Sequence, residues 1–304
     1  MMGFWSFSIK TAFYLTVLSR ACAANLYLAD DQRFSLFDTG TGIKTRVATG
    51  TPGTVVNNSF EVHDGTAFQG GQAGARSAVS VTDLATGASR NFTLSKTVLP
   101  QFGGFWNGNL ILADDSDYYS FDPLTGKETF LAKGLLSTVV NSSFEVHEGV
   151  AYHGGLIGGQ NAISAVNLLT GVSRSFQIPG LKYIQFGGFW NDSLILADDT
   201  KYYAFDPSTG KTTRLATGAL GTVMNFSFEV QDGIAYQLGL GGGRPAVAVT
   251  NLSTGASKYV VLPGGGFPQF GGFAAVPEPA AGALMLLGLG WCGFSRRAAE
   301  NRRG

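Results

Sequence analysis

Between Asn25 and Phe273 the chain is a succession of short apolar runs, each closed by Gly, Asp or Asn. From Gln185 the text reads QFGGFWNDS, LILADD, KYYAFDPSTG and KTTRLATG. Each piece is the length of a strand and ends in turn residues. The next stretch follows the same plan with different words: NFSFEVQDG, IAYQLGLGG, RPAVAVTNLSTG and ASKYVVLPG. No part of this body keeps apolar residues in step with a 3.6-residue period, so strands are expected throughout, in groups of four.

The pattern repeats. LYLADD, LILADD and LILADD begin at Leu26, Leu110 and Leu194, 84 residues apart. SFEV recurs at Ser59, Ser143 and Ser227, and QFGGF at Gln101, Gln185 and Gln269, at the same interval. Each unit is itself double, because Phe60, Phe102, Phe144, Phe186, Phe228 and Phe270 are spaced by 42. Six Thr-Gly turns, ending at Gly42, Gly87, Gly126, Gly171, Gly210 and Gly255, fall between them. Forty-two residues is the size of one four-stranded propeller blade. The fold class expected is therefore all-β, a six-bladed β-propeller built from three 84-residue double-blade repeats. The ends support closure: LYLADD opens the body without a QFGGF before it, and the missing piece stands at Gln269–Phe273. Residues 25–56 and 267–276 together make one 42-residue blade. A last strand paired with the first blade removes the open edges that an unclosed stack would expose.

The ends read differently from the body. Residues 1–23, MMGFWSFSIKTAFYLTVLSRACA, carry Lys10 near the start, an apolar run and the small residues Ala21 and Ala23 around Cys22, as a secretory signal peptide does. Near the other end, Pro277-Glu278-Pro279 precedes a 15-residue apolar stretch from Ala280 to Phe294 and the pair Arg296-Arg297. That stretch is shorter than the ~20 residues that cross a bilayer squarely. The division expected is a signal peptide at 1–23, the propeller at 24–276, and a sorting and membrane-anchor segment at 277–304, with a helix on each flank. The only two cysteines, Cys22 and Cys292, lie in the flanks, which excludes a disulfide scaffold or a cysteine-rich metal module. Of 21 basic and 21 acidic residues, six basic and two acidic fall in the flanks, so the body is mildly acidic. It has no charge signature for nucleic acid.

The order Pro-Glu-Pro, short apolar helix and basic cluster resembles the PEP-CTERM sorting tail of Gram-negative bacteria. The resemblance covers about 28 residues, and the tail Ala298–Gly304 extends beyond the usual end of the pattern. It implies export, transient anchoring in the inner membrane through the C-terminal helix, and processing near the motif by an exosortase-type enzyme. It further implies a final place at the cell surface or in the matrix, beside secreted polysaccharide.

Candidate chemistry in the body is sparse. The turns FDPLTGK and FDPSTGK resemble those of quinoprotein-type propellers, but the adjacent cysteines and repeated Trp of those enzymes are missing, so no cofactor is inferred. His63, His147 and His153 read as exposed turn histidines; they form no threefold set, since Gln231 stands where a third equivalent of His63 and His147 would be, and no metal site is assigned. Asp30-Asp31, Asp114-Asp115 and Asp198-Asp199 read as polar hairpin turns. Tyr118-Tyr119, Tyr202-Tyr203, Trp106 and Trp190 read as filler between blades rather than sugar platforms. Glu61, Glu145 and Glu229 are the one candidate ligand site. Each lies between Phe and Val on an inner strand, so its side chain points away from theirs and toward the central channel. Arg90, Arg174 and Lys258 recur with the same period and are expected as their ion-pair partners.

These observations point to an exported, non-enzymatic binding or structural module of the envelope or biofilm matrix. Its expected partner is extracellular polysaccharide or an envelope protein. The competing reading is a polysaccharide lyase or glycosidase with acidic residues at the channel, which requires two carboxyls in different settings.

Overall fold

The computed structural model describes residues 24–274 except 52, 53, 183 and 265. The expected signal peptide and the expected sorting segment, with Pro277, Glu278, Pro279, Arg296 and Arg297, lie outside the described residues. Within them the chain forms 24 strands in six four-stranded antiparallel sheets, and no helix. Blade 1 joins Asn25–Asp30, Arg33–Asp38 and Lys44–Thr49 to the last strand, Gln269–Phe273. Blades 2 to 6 follow in chain order over 54–93, 101–133, 138–177, 184–217 and 222–261. The six inner strands touch their neighbours in ring order, the last of them contacting the inner strands of blades 6 and 2. The six-bladed propeller is closed.

Closure rests on strand pairing at the seam. Leu26 stands opposite Phe273, Leu28 opposite Phe270 and Ala29 opposite Gln269. Beyond the Leu26–Phe273 pair the amide of Ala274 donates to the carbonyl of Asn25 at 2.8 Å. Phe270 is buried with Leu26, Leu28 and Phe37.

Each blade is sandwiched between two others, so its middle strands bury both faces. This is why LILA reads as an unbroken apolar run: Leu110, Ile111 and Leu112 are all fully buried, as are Leu194, Ile195 and Leu196. The outer strands, such as Lys44–Thr49 and Thr212–Thr217, carry exposed Arg and Thr, which protect these free edges from pairing with other chains.

Two repeated words are explained by one contact set. In SFEV, the serine hydroxyl donates to a carbonyl of the next blade: Ser59 to Pro100, Ser143 to Ile184, and Ser227 to Pro268 at 2.8 Å. The phenylalanine lies on the first glycine of the preceding blade's QFGGF. A Cβ at Gly103, Gly187 or Gly271 would stand 2.5, 2.5 or 2.3 Å from the ring of Phe144, Phe228 or Phe60. The second glycine serves the backbone instead, with φ of 94°, 95° and 87° at Gly104, Gly188 and Gly272, where the pairing register shifts. The inner strands of blades 2 and 6 begin at Thr54 and Thr222, three residues before their expected starts at Asn57 and Asn225, and that of blade 4 begins at the equivalent Thr138. Blade 1 accordingly ends at Thr49 rather than near 56.

The turns follow their chemistry. Asp64-Gly65, Asp232-Gly233 and Asn107-Gly108 all take positive φ at both residues, the two-residue hairpin that suits strand twist. In the Thr-Gly turns, Asp206 accepts from the hydroxyls of Ser208 and Thr209, both at 2.6 Å, and from Ser208 N at 2.8 Å, which holds its carboxyl down at about 2. Gly210 closes that turn at φ 74°.

Candidate functional site in the axial channel

The three inner strands that carry SFEV bring Glu61, Glu145 and Glu229 to one axial cavity of about 120 Å³. Its wall is completed by Phe60, Phe144, Phe228, Gln101 and the Gly103-Gly104 pair. The alternation along each strand does the positioning. Phe and Val turn into the blade interfaces, and the glutamate between them is left facing the axis.

None of the three carboxyls makes a hydrogen bond or an ion pair among the described residues. Burial pushes the Glu61 and Glu145 carboxyls well above the ordinary carboxylate range. Glu229 and Glu145 push Glu61 further, and Glu229 does the same to Glu145. Burial alone raises Glu229 to about 8. Like charges at close range in a confined cavity favour the protonated form. The expected ion pairs are not formed. Arg90 and Arg174 lie on outer strands, with guanidinium carbons 4.7 and 5.1 Å from the rings of Phe92 and Phe176. Lys258 is on the outer strand of blade 6. Inner and outer strands of one blade are three spacings of ~4.8 Å apart, beyond reach of a direct pair.

The other candidates fall into structural places. Among the described residues no group of three His, Cys, Asp or Glu is arranged to hold a metal ion. Asp31, Asp115 and Asp199 take φ of 51°, 51° and 53° at hairpin turns. Asp114 accepts from Val98 N at 2.9 Å, and Asp198 from Lys182 N at 3.3 Å. Tyr118 and Tyr202 are fully buried between blades. Trp106 and Trp190 pack on Gly149 and Gly233. His63 and His147 stack on Phe105 and Phe189 of the following blade at 4.1 and 4.0 Å. His153, read from sequence as an exposed turn histidine, is instead fully buried, and burial drives its imidazole down to about 3. The sequence reading also passed over the buried glutamines of QFGGF. Gln269 accepts from Ser59 N at 3.3 Å, whereas neither amide atom of Gln185 has a partner among the described residues. Their recurrence at 84-residue intervals was the available signal.

No protein-family model matches the chain, and no curated protein sequence matches it significantly. Many solved structures resemble it in fold. One, in a nidogen/laminin complex, aligns with a TM-score of 0.61 at 10% identity, covering 81% of this chain and 96% of that one. Another, TolB from Acinetobacter baumannii, aligns with a TM-score of 0.61 at 12% identity, covering 86% of this chain and 70% of that one. At these identities the likeness is one of fold, and the fold that this chain shares with them is the β-propeller.

Proposed function

We propose that this protein is an exported binding module of the bacterial envelope or matrix, held at one point of its ring and retaining extracellular polysaccharide. One observation carries the reading. The chain enters and leaves the described ring side by side, joined by the Ala274–Asn25 hydrogen bond at 2.8 Å. A ring entered and left at a single seam suits a leader removed on one side of that seam and a sorting tail continuing from the other. The remaining blades are then free to meet a partner. Propellers serve many functions, so the assignment of partner rests on the sorting-tail resemblance.

A second reading has its own support. Unpaired carboxyls with raised pKa values in a channel are the raw material of a glycosidase or lyase. Three equivalent glutamates are a weaker start than two that differ, because acid and base must hold different charges at one pH.

The test mixes the purified protein with extracellular polysaccharide from the producing organism. It follows depletion of protein from solution and the appearance of new reducing or unsaturated chain ends. Depletion without new ends supports the binding module. New ends support the enzyme and direct mutagenesis to Glu61, Glu145 and Glu229. Neither result would leave polysaccharide without a role and make an envelope protein the partner to seek.

A further inference from the structure

The third strand of each blade begins on the same face of the ring, the face that also carries the connections between blades. The residues at those six starts are Arg33, Arg76, Asp117, Gln160, Lys201 and Arg244, in order from blade 1 to blade 6. Because the ring closes, Lys201, Arg244, Arg33 and Arg76 form an unbroken run over blades 5, 6, 1 and 2. All four are exposed, and none is in an ion pair among the described residues.

At the centre of this run, blade 1 carries an open groove of about 810 Å³. Arg33 and Arg46 line it together, with Arg33 paired to Thr49 and Arg46 to Ser35 across the strands. The Arg46 guanidinium is steadied by the Thr49 hydroxyl. Phe267, 39% exposed, offers the groove an apolar face. Two carboxylates also reach it. Asp30 is 3.7 Å from Lys44 Nζ, against Gly266, where a Cβ would stand 2.9 Å from its Oδ2. Asp31 stays exposed at the hairpin turn.

We propose that this cationic arc, centred on the blade 1 groove, binds a linear carboxylated polysaccharide, a uronic-acid polymer. The proposal narrows the polysaccharide reading above and rests on it. Guanidinium groups bind carboxylates through paired N–H donors, and four cations on successive blades suit a polymer with a charge at each residue. Phe267 covers the C–H face of a sugar ring. The aspartates accept sugar hydroxyls and disfavour a ligand that is carboxylate alone, such as an acidic peptide. The seam where the chain enters and leaves lies on the opposite face, since Asn25 starts and Phe273 ends the paired strands there.

The experiment titrates the purified full chain with polygalacturonate by calorimetry, with dextran and polyglutamate as comparisons. Wild type is expected to bind polygalacturonate, more weakly as salt rises, and to bind the other two at least about tenfold less tightly. Arg33→Ala/Arg46→Ala is expected to lose about tenfold or more, whereas Arg90→Ala/Arg174→Ala, which removes the same charge from the other face, keeps wild-type affinity. Both pairs are exposed, and a thermal melt verifies folding. Equal binding by the two double variants, or equal binding of dextran or polyglutamate, overturns the assignment. If the organism's own polysaccharide retains wild type and Arg33→Ala/Arg46→Ala equally, the groove is wrong and the polysaccharide reading stands. If neither that material nor polygalacturonate binds wild type, both fall.

Discussion

The hydroxyl of Tyr202 donates to Gln237 Oε1 across 3.0 Å, and Gln237 Nε2 in turn donates to the carbonyl of Asp199 at 2.9 Å. One repeat earlier the same positions hold Tyr118 and His153, which make no such bond. His153 Nδ1 has no partner among the described residues, and its Nε2 is 3.4 Å from Gln101 Nε2. In the first repeat Gln69 again caps a turn, donating to Asp31 O at 2.6 Å. Blade 4 has thus lost a hydrogen bond that the other two copies keep.

His153→Gln is therefore expected to stabilise the ring. The new amide can reach the Asp115 carbonyl and the Tyr118 hydroxyl, as its equivalent does in blade 6. Each regained buried bond contributes about 1 kcal/mol, or a few degrees in Tm for a domain of this size. The effect grows in acid. With its imidazole held near 3 against about 6.5 in the unfolded chain, His153 binds its proton only on unfolding. Wild type therefore loses stability as pH falls from about 6.5 toward 3, and the variant is spared this loss. Melts at pH 7 and pH 5 measure it; an equal or lower Tm for the variant at pH 5 would refute the account.

The axial glutamates act in the opposite sense. Their carboxyls titrate higher in the folded protein than the ordinary 4.5, Glu229 at about 8. The folded state therefore keeps protons that the unfolded chain has released, and stability falls as pH rises through that window. Glu61→Gln/Glu145→Gln/Glu229→Gln, which keeps shape and removes the charge, should melt with a flatter dependence between pH 5 and pH 8. The gain over wild type should be largest at pH 8. A slope unchanged by the triple substitution would mean that the three carboxyls are not the cause.

Glycines in and just before the inner strands divide by what they avoid. Gly187→Ala places its Cβ 2.5 Å from Phe228, whose ring is held against Tyr202 at 5.5 Å and has no room to retreat. A loss of 1–3 kcal/mol, about what overpacking costs, is expected. Gly221→Ala meets only the Leu240 carbonyl at 3.9 Å and has ordinary φ, so it should be neutral or slightly stabilising. Denaturant unfolding of the two variants separates contact from chain entropy; equal losses in both would argue against the phenylalanine contact.

Much of this was legible in the chain because triplication repeats its own grammar. QFGGF precedes LILADD at Leu110 and Leu194, so its displacement to Gln269 announced the seam. The alternation around Glu61, Glu145 and Glu229 likewise pointed them to the axis. Other features were hidden for physical reasons. Register shifts between Val55 and Phe60, and at the two equivalent places, lengthen the inner strands without a mark in the apolar pattern. Equal periodicity suggested pairing Glu61 with Arg90, yet the four-strand reading already put one on an inner strand and the other on an outer one. His153 looked exposed because a lone polar residue in an apolar strand gives no sign of what faces it. The arginine groove lay in what differs between repeats, whereas the reading followed what they share.

The closing strand yields the last prediction. Phe270, Phe102 and Phe186 occupy equivalent places on the inner strands of blades 1, 3 and 5, and are 5, 8 and 6% exposed. Two are held by continuous chain, whereas Phe270 is held only by the pairing of Gln269–Phe273 with Asn25–Asp30. If the seam is as firm as the other blades, truncation to alanine should cost the same at all three sites, about 3–5 kcal/mol. If the last strand frays on its own, the Phe270→Ala loss is partly present before mutation and its cost is smaller. Equilibrium unfolding of Phe270→Ala, Phe102→Ala and Phe186→Ala makes the comparison, and hydrogen exchange at Leu28 and Phe270 locates it. We expect equal costs and strong protection on both sides of the seam, because the Phe270 ring is buried among Leu26, Leu28 and Phe37, and Gln269 also reaches across to Ser59 in blade 2. A markedly smaller cost at Phe270 with fast exchange would show instead a ring that opens at its seam.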